Sequence, residues 1–91
     1  MKIESFEQIG ITLRSVRVAL NVPLADLAET LETSQTLLRR HEQGHATVAV
    51  QKLFAAMKEL GIEIHLSLPP SIEERSIDLN NKSARKKRAR P

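Results

Sequence analysis

With 91 residues the chain has room for one domain, and 41 % apolar residues suffice for one small core. Two aromatics, Phe6 and Phe54, leave single-strand binding without its stacking platforms, and the lack of cysteine excludes disulfides and thiolate metal sites. The net charge of +3 divides unevenly: residues 82–91 hold six basic side chains and no acidic one, whereas residues 1–81 hold 8 basic against 11 acidic. Any nucleic-acid affinity must therefore come from a local patch or from the tail. No apolar run reaches the ~18 residues of a membrane span, and the N-terminus lacks a signal-peptide pattern. A reducing, cytoplasmic setting is expected.

Residues 1–4 read as a loose lead-in. Ser5, with Gln8 three residues on, resembles a capping box. Phe6, Ile9, Leu13, Val16 and Leu20 then recur at helical spacing and predict a first helix over 6–20. Gly10 should weaken it by ~1 kcal/mol relative to alanine. Pro23 suits a helix start, where its missing N–H would go unpaired anyway.

The stretch 24–44 organises the rest. Leu24, Leu27, Ala28 and Leu31 give a second helix one apolar face, and Glu32-Thr33 interrupt it. Ser34 is placed to cap a third helix over 35–43, and Gly44 to end it in a left-handed cap. Leu38 faces the second helix. Gln35, Thr36, Arg39 and Arg40 do not, and form an outward face of donors and acceptors such as a major-groove reader needs.

Thr47 caps a fourth helix over 48–60, carried by Val48, Val50, Leu53, Phe54, Met57 and Leu60, and Gly61 stops it. The period then changes. Ile62, Ile64, Leu66 and Leu68 alternate with Glu63, His65 and Ser67, which predicts a strand over 62–68. No second strand signal is present, and a lone strand needs a partner. The simplest partner is the same strand of a second copy, across a twofold axis. The alternative is an arm folded back on its own helices. Pro69-Pro70 ends the strand, Ile72 and Ile77 are too sparse for a core, and 69–91 reads as a disordered tail, basic at its end.

Arg17, Leu27-Ala28, Ser34-Gln35, Leu38 and Glu42-x-Gly44, set on four helices over about 6–61, resemble the lambda-repressor-like, or XRE-type, helix-turn-helix family. The strand that follows resembles the end of HipB-type antitoxins. The resemblance implies a mainly α fold: a helix-turn-helix domain over 1–61, a dimerisation strand over 62–68, and a tail over 69–91. It implies a homodimeric, sequence-specific repressor that binds a palindromic operator in double-stranded DNA, regulates its own operon and holds a HipA-type kinase toxin. By the same resemblance Ser34 is the recognition-helix cap. Gln35, Thr36, Arg39 and Arg40 take the base-edge and nearby phosphate positions, and Arg17 and Glu42 form a buried ion pair between helices 1 and 3. Ile62, Ile64, Leu66 and Leu68 pair across the dimer. The chain departs from the family at Pro23 and Leu24, where a phosphate donor is usual, at Glu32, where glycine is usual, and at His41, where an apolar residue is usual.

The alternatives are a toxin-holding module whose helices no longer read DNA, and a repressor unconnected to a toxin. The tail residues Lys82, Arg85, Lys86, Lys87, Arg88 and Arg90 have three readings: DNA flanks, an acidic partner, or a solvated end. His41 and His45 are four apart, but Gly44 interrupts the helix and no third ligand is evident, so no metal site is expected. Neither a catalytic constellation nor a phosphate-cradling loop is present, and neither an enzyme nor a cofactor is expected.

Overall fold

The computed structural model describes residues 1–80. Four helices account for most of it: α1 (Phe6–Ala19), α2 (Leu24–Thr30), α3 (Gln35–Glu42) and α4 (Val48–Glu59). Two short strands, β1 (Lys2–Ile3) and β2 (Ile64–His65), form one antiparallel sheet, and a 3-10 turn spans Glu74–Ser76. Helices α1 and α2 both pack on α3, while α4 and β1 pack on α1. Among the described residues, no helix is long and apolar enough to cross a membrane.

The helix starts follow from their caps. Ser5, Ser34 and Thr47 each accept a backbone N–H three residues on, at 3.3, 3.0 and 3.3 Å. These bonds satisfy donors that the first turn leaves open. The Gln8 side chain reaches back to the Glu4 N–H at 2.7 Å, one residue short of a true capping box. Pro23 lies at the N-cap of α2 rather than inside its first turn, and α2 lacks a side-chain cap.

All four helices end the same way. The residue after the C-cap turns left-handed, at Asn21 (φ 57°), Glu32 (φ 55°), Gly44 (φ 85°) and Gly61 (φ 74°). In each, two backbone N–H groups return to the last turn: Val22 to Arg17, Thr33 to Ala28, His45 to Arg40 and Ile62 to Met57 are the longer ones. This double closure satisfies the orphan carbonyls. Glycine adopts the left-handed region freely and asparagine tolerates it, but glutamate is strained there.

The expectation of a loose lead-in, and of a single strand with no partner in its own chain, is corrected here. Lys2 pairs with His65 and Ile3 with Ile64. Beyond the ladder, the nitrogen and carbonyl of Met1 bond the carbonyl and N–H of Leu66, both at 2.8 Å. The strand expected over 62–68 is shorter, Ile64–His65, and finds its first partner in its own chain. Two residues are too few to show an alternation in the sequence, so β1 carries no periodic signal. Ile64, Leu66 and Leu68 are half-buried and alternate with exposed Glu63, His65 and Ser67, but Ile62 is 52 % exposed. On the outer face, His65 donates to Glu63 at 3.2 Å and the Lys2 ammonium lies 3.2 Å from the same carboxylate. The hydrogen bond from His65, and then that from Lys2, hold the Glu63 carboxyl below its ordinary value.

The expected disorder from 69 onward is corrected over its first part. Ile77 is buried and Ile72 half-buried. Glu74 lies 3.2 Å from the Met1 nitrogen, which ties this segment to the end of the sheet. Two isoleucines carry no period, so only tertiary contact marks them as core. With Ile77, the buried apolar residues are Ile3, Ile11, Ala28 and Leu38. Thr12 and Glu42 are the buried polar ones, and each is partnered, Thr12 by the Gln8 carbonyl at 2.9 Å.

Candidate nucleic-acid interface

Helix α3 begins three residues after the left-handed turn at Glu32, so its direction relative to α2 is set by a tight, fully hydrogen-bonded closure. Ser34 caps it. One side of α3 is anchored: Leu38 is 4 % exposed and Glu42 3 %. Glu42 receives Arg17 in bidentate fashion, Nε to Oε2 at 2.5 Å and Nη2 to Oε1 at 3.0 Å. The remaining Arg17 nitrogen donates to the Val22 carbonyl at 2.9 Å. One guanidinium thus joins the last turn of α1, the last turn of α3 and the α1–α2 connector. The hydrogen bond to Glu42 raises the Arg17 pKa above its ordinary value, against the opposing effect of burial.

Gly10 explains how close α1 and α3 come. A β-carbon placed there would stand 2.3 Å from the His41 carbonyl oxygen, 3.0 Å from that of Glu42 and 3.1 Å from the Gly44 nitrogen. The end of α3 rests directly on the α1 backbone. Gly10 is therefore a positioning residue for α3, a role that helix propensity alone hides. A glycine inside an otherwise well-patterned helix was the available signal.

His41, at a position where the resembled family has an apolar residue, behaves as one. It is half-buried and meets the edge of Phe6 at a centroid distance of 6.0 Å. Phe6 in turn meets Phe54 of α4 at 6.0 Å. The three rings join α1, α3 and α4 in T-shaped contacts, the geometry aromatic rings favour.

The opposite side of α3 is open. Gln35, Thr36, Arg39 and Arg40 are all exposed. At about 100° per residue, Thr36, Arg39 and Arg40 fall within one third of the helix circumference, whereas Gln35 lies about 20° from the azimuth of Glu42 and is exposed in the first turn. Neither arginine has an ion-pair partner among the described residues. The helix thus offers two fixed-charge forks and the Thr36 hydroxyl on one face, held by a rigid underside, with the Gln35 amide at its N-terminal end. The preceding helix and the turn that follows it carry the exposed carboxylates of Asp26, Glu29 and Glu32.

The residues expected to pair across a dimer divide. Ile64 is engaged with Ile3 in the intramolecular sheet, Leu66 bonds Met1, Leu68 is half-buried and Ile62 is exposed. A two-stranded sheet leaves β2 one further edge. The basic tail residues Lys82, Arg85, Lys86, Lys87, Arg88 and Arg90 lie outside the described residues. Comparison of the chain with protein-family models, with curated proteins and with solved structures gave no significant match.

Proposed function

We propose that this chain is a dimeric, sequence-specific DNA-binding repressor in which α2 and α3 act as a helix-turn-helix. In this reading α3 enters the major groove of a palindromic operator. The observation that carries it is the division of α3 into two sides. Leu38 and the Glu42–Arg17 pair fix one, and the other presents Thr36, Arg39 and Arg40 to solvent with both guanidinium groups uncommitted, while Gln35 is exposed in the first turn. Arginine forks match the acceptor pair of guanine and also bind phosphate. Ser34 sets the start of the reading helix, where base contacts concentrate. Two copies would place their α3 helices in successive major grooves, ~34 Å apart. The residual edge of β2, within the segment 62–68, is one route to that dimer. By the resemblance stated above, the operon is the chain's own, its partner is a HipA-type kinase toxin, and its place is the cytoplasm.

The test is fluorescence anisotropy with the chain and the DNA upstream of its own coding sequence. Arg39→Ala/Arg40→Ala should weaken binding by two to three orders of magnitude, since each good contact contributes ~1–3 kcal/mol. Helix content by circular dichroism should be unchanged. Equal affinity in the double variant would refute the reading.

A second reading is favoured by the exposed carboxylates of α2 and of the turn before α3, and by the absence of a side-chain cap on α2. In it the chain is a module that holds a toxin and reads no DNA. It predicts tight toxin association with binding to upstream DNA that is absent or indifferent to sequence.

A further inference from the structure

Helix α4 carries more apolar surface than its own chain covers. Val50, Phe54 and Met57 turn inward and are half-buried, and no residue of α4 is fully buried. A second apolar stripe lies roughly a quarter-turn round the helix. It consists of Ala49, Leu53, Ala56 and Leu60, all exposed, with Leu53 at 57 % and Leu60 at 76 %. A surface helix ordinarily shows one apolar stripe, facing its core.

We infer that this second stripe is the contact surface for a second copy of the chain, with the two α4 helices packed antiparallel about Ala56. The pattern is self-complementary. Leu53 lies three residues before Ala56 and Leu60 four after it. Lys52 lies four before and Glu59 three after, on the same flank of the stripe. A twofold axis through Ala56, perpendicular to the helices, brings Leu53 against Leu60 of the second copy and Lys52 beside its Glu59. Both contacts occur twice, as an isologous interface requires. Alanine at the axis lets the helices approach closely. Neither Lys52 nor Glu59 has an ion-pair partner among the described residues. A parallel arrangement would set Lys52 against Lys52 and Glu59 against Glu59, which is repulsive. An unrelated partner requires no such symmetry of charge and size. This inference stands apart from DNA binding and from pairing at the edge of β2.

Charge reversal on the full chain tests it by sedimentation velocity at micromolar concentration. Lys52→Glu and Glu59→Lys should each weaken the dimer about tenfold or more, and the double reversal should restore it. The chain has no cysteine, so Ala56→Cys provides a second measure: mild oxidation should yield a covalent dimer, whereas Lys58→Cys, on another side of α4, should not. Unaltered far-ultraviolet circular dichroism shows that the variants fold. A dimer indifferent to both single reversals, and uncrosslinked through position 56, overturns the α4 contact and leaves strand pairing as its basis. A wild-type monomer at micromolar concentration overturns both.

Discussion

Replacing Gly10 with alanine sets two effects of opposite sign against each other. Helix propensity favours alanine by ~1 kcal/mol at an interior position. The new methyl group, however, would stand 2.3 Å from the His41 carbonyl oxygen. An ordinary carbon–oxygen contact is about 3.3–3.6 Å, so α1 and α3 must part by about 1 Å. What resists is backbone at the end of α3, with no flexible side chain to swing aside. Moving it also strains the bidentate Arg17–Glu42 pair. Overpacking that shifts backbone costs about 1–3 kcal/mol, and a 2.3 Å contact belongs at the upper end of that range. Steric cost therefore wins, and Gly10→Ala should lose about 1–2 kcal/mol net. For a domain of this size that lowers Tm by roughly 4–16 °C. Urea titration followed by far-ultraviolet circular dichroism measures it. Gly61→Ala is the control, because its β-carbon would meet nothing within 4 Å and only the left-handed backbone resists. A Gly10→Ala chain as stable as the parent, or more so, would refute the close approach of α1 to α3.

Three further substitutions probe other parts of the fold. Glu42→Ala leaves the Arg17 guanidinium without its buried partner and should cost about 3–5 kcal/mol, against under ~1 kcal/mol for a surface pair; chemical denaturation distinguishes them. Glu32→Gly relieves a left-handed glutamate and should stabilise by about 0.5–1 kcal/mol, a gain that a lower Tm in the variant would contradict. On the DNA-binding reading, the same change removes a carboxylate beside α3 and tightens operator binding. Ile77→Ala should cost about 2–4 kcal/mol because that side chain is buried, whereas a change of under ~0.5 kcal/mol would return residues 69–80 to the solvated tail.

What the sequence determined by itself was the helical frame. The apolar periods placed α1 to α4 to within a residue or two, and Ser5, Ser34, Thr47, Gly44 and Gly61 act where caps are needed, because a cap is decided within four or five residues of chain. The outward character of Thr36, Arg39 and Arg40 was legible for the same reason: once α3 and its buried Leu38 are set, the helical period assigns the other face, whereas Gln35 lies near the azimuth of Glu42 and is exposed in the first turn. Tertiary structure alone decided the rest. Whether 62–68 pairs with its own chain depends on Lys2 and Ile3, some sixty residues away and too short to show a period. Ile77 is core because it meets the fold, not because its neighbours are apolar. Gly10 matters through a backbone on another helix, and the second stripe of α4 is conspicuous only once its first stripe is seen to satisfy the core. Local hydrogen bonding and periodicity are encoded over a few residues. Contacts between distant segments depend on how the helices assemble, and no window of sequence contains that.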